Sequence, residues 1–282
     1  MSLPILVTGA SGKVGGEVAR QLLTQGFAVR AASRNPEALR VPGANPVRLD
    51  YDDPATVVAA LSGVDRALLV LPPGDSTALA HAQPFIKASQ AAGLDRVVLV
   101  SAIGVDADDH IPLRQVELAL EASGLKYTIL RLSWLMQNFA PGFVLGSILG
   151  MGGIYLPAGE GASSFIDTRD IAEVAAVALT EDGHSGKVYL LTGPEALGHD
   201  VVASMISEAA GRKVTYTPIP DADFRATLAG FGWPADAIEI MSALYDAVRA
   251  GWAATVTDDV ERLLGRPPIA FERFARDYAD AW

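Results

Sequence analysis

Half of the 282 residues are hydrophobic and only 20% are charged, so the chain carries enough apolar material for a sizeable core and is not a disordered polymer. Lys and Arg number 22 against 33 Asp and Glu, and the net charge of −11 argues against nucleic acid as a partner while leaving room for a local site for one phosphate. Cysteine is absent, which excludes disulfides, thiol catalysis and cysteine–zinc sites. The length fits one large domain or two intimate ones. Met1-Ser2-Leu3-Pro4 has neither the basic region nor the long apolar stretch of a secretory leader, so a soluble cytoplasmic protein is expected.

Ile5-Leu6-Val7 reads as a short strand ending in glycines. Residues 13–25 place Val14, Val18 and Leu22 near helical spacing and stop at Gly26. Strands are expected at 27–32 and 46–49, then a helix at 54–61 with Asp53 as its cap and Gly63 past its end. A strand at 67–71, a long helix at 76–92, a strand at 97–100, a helix at 113–122 and a strand at 127–132 follow. Continuous apolar strands alternating with helices argue for a parallel sheet covered on both faces, and right-handed crossovers then give a doubly wound sheet.

From Leu132 to Gly159 there is no charge. The stretch is long enough for a membrane helix, but Pro141, Gly142, Gly146, Gly150, Gly152, Gly153 and Pro157 interrupt it, so a mobile apolar segment lining a pocket or an interface is preferred and no membrane partner is expected. Beyond it, a helix at 171–179, opened by Asp170, and a strand at 188–191 precede helices at 200–210, 222–229, 235–250 and 271–281. The expected fold is α/β: a Rossmann-type doubly wound parallel sheet with a smaller, mostly helical C-terminal lobe. Residues 1–131 and about 163–191 would form the nucleotide lobe, and about 132–162 with 192–282 the substrate lobe. A cleft between them is the default ligand site.

The most informative stretch is Thr8-Gly9-Ala10-Ser11-Gly12-Lys13-Val14-Gly15, a Gly-x-x-Gly-x-x-Gly that follows the first strand and opens a helix. The first glycine allows a tight turn, the second lets backbone approach a pyrophosphate, and the third lets helix and strand pack closely. Amides at the helix start then face the anion. A P-loop does not fit, because Gly12-Lys13 is followed by Val14. At the end of strand two, Ser33-Arg34-Asn35 offers no acid for ribose hydroxyls, and the planar fork of Arg34 suits a 2′-phosphate; NADP is favoured, with NAD still possible. Asp50, in Leu49-Asp50-Tyr51, is either an acceptor for the adenine amino group or a turn aspartate.

These residues resemble the NmrA-like group of atypical short-chain dehydrogenases/reductases, and within it the NAD(P)H:quinone oxidoreductase and triphenylmethane reductase branch. The resemblance spans nearly the whole chain: the glycine loop from Thr8 to Gly15, Arg34-Asn35-Pro36, Leu49-Asp50-Tyr51, Gly124 through Arg131, Trp134 with Asn138, Thr168-Arg169-Asp170-Ile171-Ala172 and the tail from Phe271 to Tyr278. It implies cofactor contacts at Thr8, Gly9, Ser11, Gly12, Lys13, Val14, Arg34, Asp50, Tyr51 and the loop starting at Leu71-Pro72. It also implies that the segment from Trp134 through Asn138 to Phe139 approaches the nicotinamide. The implied activity is that of a reductase or a nucleotide sensor.

The Tyr-x-x-x-Lys pair of ordinary short-chain reductases is missing: no tyrosine has lysine four residues later, and by position the pair would fall near Leu113 and Glu117. Ser101 stands where that superfamily often has an active-site serine, and a plain strand-end hydroxyl is the alternative. Hydride transfer to a quinone or a conjugated cation needs no such tyrosine, because the acceptor delocalises its charge or takes a proton from water. His81, His110, His184 and His199 are scattered and predict no metal site, and no Gly-x-Ser-x-Gly marks a hydrolase. Asp106, Asp108, Asp109 and His110 form a polar loop, read as solvated or as near the substrate. Trp134, Met136, Phe139 and Phe143, together with Phe231, Trp233, Met241 and Trp252, are core aromatics and apolar groups or the wall of a flat substrate site; of these Trp134, Phe139, Phe143 and Trp233 are the substrate candidates. The expected function is NADPH-dependent hydride transfer to a planar quinone-like or polycyclic aromatic molecule. A non-catalytic NAD(P) sensor and an aromatic polyketide tailoring enzyme are the alternatives.

Overall fold

The computed structural model describes residues 3–282. Met1 and Ser2, the start of the stretch read above for a leader, lie outside the described residues. The first elements are β1 (Ile5–Val7), α1 (Lys13–Thr24), β2 (Val29–Ser33), β3 (Asn45–Arg48), α2 (Pro54–Leu61), β4 (Arg66–Leu69), α3 (Ala78–Ala92), β5 (Arg96–Ala102), α4 (Pro112–Glu121) and β6 (Tyr127–Leu132). Then come α5 (Leu145–Met151), β7 (Gly153–Leu156), β8 (Ala162–Ser163), α6 (Thr168–Thr180) and β9 (Lys187–Leu191). The chain finishes with β10 (Leu197–Gly198), α7 (His199–Ala210), β11 (Thr215–Pro218), α8 (Asp221–Gly230), α9 (Ala235–Arg249), α10 (Asp259–Leu264) and α11 (Phe271–Asp277). No helix among the described residues is long and apolar enough to cross a membrane.

Two compact units result. The first takes the chain up to Leu132 and again over Thr168–Leu190; the second takes Ser133–Asp167 and Leu191–Trp282. In the first, seven strands lie in the order β3-β2-β1-β4-β5-β6-β9. Neighbours run parallel: Ile5 pairs with Val29 on one side and Arg66 on the other. At the far edge Gly186 N–H donates to the Tyr127 carbonyl and Ser133 N–H to the Leu191 carbonyl, which sets β9 parallel to β6. This is the Rossmann-type doubly wound sheet, and the strand order reverses between β1 and β4, where such sheets take their ligands. Alternate residues feed opposite faces, so both must be apolar: Leu6, Leu69, Val97 and Leu99 share a core with Val57, Phe85, Val116 and Leu120 of α2, α3 and α4. On the other face α1 and α6 pack together, and α1 buries Val14, Val18 and Leu22 from one stripe.

Local chemistry sets the boundaries. Asp53 caps α2, its Oδ1 accepting from Ala55 N–H at 3.2 Å. The helix expected from residue 76 begins at Ala78, because Asp75 Oδ1 accepts from both Thr77 N–H (2.9 Å) and Thr77 Oγ1–H (2.8 Å) and holds a turn there. Asp170 does not open α6; it sits in the first turn, fully buried, and the helix starts at Thr168. The tail is also two pieces rather than one helix: α11 ends at Asp277, and a 3-10 turn takes Ala279–Ala281.

In the second unit β7 pairs in parallel with β11, and β8 antiparallel with β10. The uncharged segment expected to be a mobile liner is instead built into this unit's core, where Met136, Phe139, Val144, Ile148, Ile154 and Leu156 are buried. Phe139 meets Phe165 and Phe271 edge-on at 5.4 and 5.5 Å between ring centres, and Trp282 Nε1–H donates to the Phe139 carbonyl at 3.1 Å. His199 stands among Phe139, Phe165 and Tyr216, and burial drives its pKa down to about 4.

Candidate functional site

The glycine loop lies at the switch point of the sheet. Gly9 has φ +61°, in the left-handed region, and a Cβ there would meet Val70 Cβ at 3.1 Å. Gly12 N–H donates back to the Gly9 carbonyl at 2.9 Å and closes the turn. A Cβ on Gly15 would lie 2.4 Å from the Gly9 carbonyl oxygen, so only glycine lets the first turn of α1 close on the loop. The loop amides do not all face outward: Ala10 N–H is spent on the Ala32 carbonyl and Gly12 N–H on Gly9. Gly12 precedes α1 without a side-chain cap. The first-turn amides of Val14 and Gly15 have no acceptor within the helix, and with the helix dipole they give this end of α1 the character that favours an anion. Burial holds the Lys13 pKa below the ordinary lysine value.

Ser11 and Arg34 are exposed, and Arg34 makes no hydrogen bond or ion pair among the described residues, so its guanidinium is free for an external anion. Asp50 is half-buried, with Oδ1 accepting from Asp52 N–H at 3.3 Å and Oδ2 3.7 Å from Arg48. Tyr51 has its hydroxyl committed: it donates toward Val70 O at 2.8 Å and lies 3.0 Å from Thr8 Oγ1, and burial pushes its pKa up. Thr8 is fully buried and its Oγ1 accepts from Val70 N–H at 2.7 Å. Leu71 is buried and Pro72 exposed.

At the carboxyl end of β5 the Ser101 hydroxyl donates to Glu117 Oε1 at 2.6 Å. Glu117 has no exposed surface, and its carboxylate also accepts from Arg131 Nε (3.0 Å), Arg131 Nη2 (2.7 Å) and Arg114 Nη1 (2.9 Å). Arg131 reaches on to Asp106 at 2.5 Å and Arg114 to Asp109 at 3.2 Å, so two acids of the polar loop are ion-pair partners while their side chains stay mostly solvated. The hydrogen bonds that Arg131 donates to Glu117, against the cost of burial, hold the Arg131 pKa above its ordinary value. Ser101 is therefore a hydroxyl whose proton is already placed, not a free acid. The roles of Arg114 and Arg131 were missed in the sequence, and the one available signal was a charged residue, Glu117, on the apolar stripe Leu113, Val116, Leu120. A second missed group is His81, whose ring nitrogens lie 2.6 Å from Asp75 Oδ2 and 3.2 Å from Asp52 Oδ1.

The remaining candidates belong to the second unit. Phe139, expected to line a substrate site, is 1% exposed and packs in this unit's core. Trp134 lies 4.9 Å from the Tyr245 ring, and Trp233 and Met241 pack half-buried on the same cluster. Asn138 is half-buried, while Phe143, Phe231 and Trp252 are exposed. No group of three His, Asp or Glu among the described residues is placed to hold a metal.

Residues 9–182 match the family model described as NAD(P)H-binding, more than half of the chain. The chain belongs to this NAD(P)H-binding family. An NAD(P)H azoreductase from Xenophilus azovorans is 34% identical over 285 residues, covering 99% of each chain. The solved structure of an NADPH-dependent quinone oxidoreductase from Escherichia coli, complexed with NADPH, superposes with a TM-score of 0.83 at 28% identity over 97% of this chain and 99% of that one. The triphenylmethane reductase of Citrobacter sp., complexed with NADP(H), gives 0.81 at 28% identity over 98% and 99%. The protein is an NAD(P)H-dependent oxidoreductase, and the resemblance to the quinone oxidoreductase and triphenylmethane reductase branch read from its motifs holds.

Proposed function

We propose that the protein is an NADPH-dependent reductase that delivers hydride to a planar, conjugated acceptor of the quinone or dye-cation kind. The observation that carries this reading is the Ser101–Glu117 corner. Leu113 has no acid, Glu117 is held by two guanidiniums, and the proton of Ser101 points at Glu117 Oε1. No side chain there is left to protonate an alkoxide, as an ordinary ketone reductase requires. An acceptor that spreads the incoming charge, or takes its proton from water, suits such a site. The names of relatives fit the same chemistry, since azo dyes, quinones and triphenylmethane dyes are all extended acceptors.

The residues present fit the cofactor: Gly15 lets the first turn of α1 close on the loop, where a side chain would strike the Gly9 backbone, and no side chain caps the head of that helix. Ser11, Lys13 and Val14 would hold the pyrophosphate, Asp50 the adenine edge, and Arg34 the 2′-phosphate. The bound reduced nicotinamide supplies the hydride. A reduced nicotinamide as hydride source also fits a cytoplasmic location.

The test is steady-state NADPH oxidation with a quinone, a triphenylmethane dye, an azo dye and a simple ketone. Turnover of the first three classes, or any of them, above the ketone is expected; ketone turnover alone overturns the reading. Arg34→Ala should weaken NADPH about 10- to 100-fold, the worth of a charge-assisted hydrogen-bonded contact, and leave NADH within about twofold.

A further inference from the structure

We propose that His81 is a positioning residue for the cofactor: as an imidazolium it ties the loop after β3 to the loop after β4, and so sets how tightly the nucleotide is held. The inference rests on the nucleotide lying along the glycine loop.

His81 projects from the first turn of α3 between two carboxylates. Its Nδ1 is 2.6 Å from Asp75 Oδ2 and its Nε2 is 3.2 Å from Asp52 Oδ1. A neutral imidazole has one N–H and one lone pair, so one nitrogen would set its lone pair against a carboxylate; only the imidazolium donates to both. Asp75 is well fixed for this role, because its other oxygen already accepts from the Thr77 amide and hydroxyl and its side chain is only 8% exposed.

The tie reaches the glycine loop through Tyr51. The Tyr51 ring stacks on the imidazole, 6.0 Å between centres at 28°. Its hydroxyl is anchored at Val70 O and Thr8 Oγ1, and Val70 is the residue that Gly9 is cut back to admit. Three loops at the carboxyl ends of β1, β3 and β4 are thus connected around the switch point, and His81 is the one titratable link whose charge changes near neutrality.

Partial burial lowers the His81 pKa, but Asp75 first and Asp52 second outweigh it and leave it above the ordinary imidazole value. The tie is therefore intact at low pH and is lost as pH rises through this raised pKa. Other charged neighbours are accounted for: α2 carries none, Asp53 caps α2, and Asp50 faces Arg48. On α4, Arg114, Glu117 and Glu121 pair with one another. Asp52 is 84% exposed, so its contact is screened and the whole effect is a few-fold.

The experiment is calorimetric titration of the full chain with NADPH from pH 6 to pH 9, for the wild type, His81→Gln and Asp52→Asn. The cofactor's own phosphate titrates alike in all three. Wild-type affinity should fall about threefold beyond the change shared with His81→Gln. His81→Gln should sit near the alkaline wild-type affinity throughout. Asp52→Asn lets a neutral imidazole keep its N–H on Asp75 and accept from the new amide, so it should keep the acid-limit affinity and lose most of the pH dependence. If His81→Gln does not fold, Asp52→Asn decides. Equal pH slopes in all folded proteins overturn the proposal while leaving the cofactor site in place; absence of NADPH binding at every pH overturns the placement of the nucleotide itself.

Discussion

At the carboxyl end of β1 the chain clears side chains away, whereas at the carboxyl end of β5 it gathers Arg114, Arg131, Glu117 and Asp106 around one hydroxyl. The first region is made of backbone: Gly9, Gly12 and Gly15 leave amides at the head of α1, and a dinucleotide needs little else there. The second is made of charge. Removing a carboxylate from water costs several kcal/mol, and Glu117 recovers it only because Ser101, Arg114 and Arg131 together supply four hydrogen bonds. The contrast teaches that one end of the sheet is built to leave backbone accessible and another to commit the Ser101 hydroxyl and both Glu117 oxygens to an ion cluster, and under the proposed function that commitment suits acceptors that need no enzymic acid.

The largest expected effect comes from breaking the charged corner. Glu117→Ala leaves two buried-side guanidiniums and a hydroxyl without their acceptor, and urea unfolding should show a loss of roughly 3–5 kcal/mol. An unchanged midpoint would mean that the cluster is solvated in solution. Next comes the backbone region. Gly15→Ala forces a methyl onto the Gly9 carbonyl, which cannot swing aside as a side chain would. Destabilisation of about 1–3 kcal/mol and at least a tenfold loss of NADPH affinity are expected, read by melting and by fluorescence titration. The smallest effect sharpens the comparison by touching neither corner: Asp53→Ala removes a helix cap, and should cost about 1 kcal/mol with cofactor affinity unchanged.

The centre of the first sheet was legible because β1, β4, β5 and β6 are mostly buried apolar runs closed by glycine or a turn, whereas the edge strand β3, Asn45–Arg48, is largely exposed and was marked only by its place between turns. The same logic failed between Ser133 and Asp167. Strands of two to four residues and the seven-residue α5 are too short for any period to show, and the glycines and prolines that suggested a loose liner sit among fully buried Phe139, Ala140 and Ile148. Of the candidate site, the glycine loop was readable because its function is local in sequence. The clusters of His81 with Asp52 and Asp75, and of Ser101 with Glu117 and Arg131, join residues 14 to 29 positions apart, or lie across a turn with no fixed spacing. Only the strand order brings them together.

The interleaved course of the chain has a consequence during synthesis. The sheet of the first unit is left at Leu132 and is completed only when β9 arrives at Lys187–Leu191. Until then β6 is an open edge of unpaired N–H and C=O groups, the kind of template on which nascent chains associate wrongly. A ribosome must therefore deliver the greasy stretch after Ser133 while that border is still bare, and chaperone demand should peak over this interval of translation rather than at release.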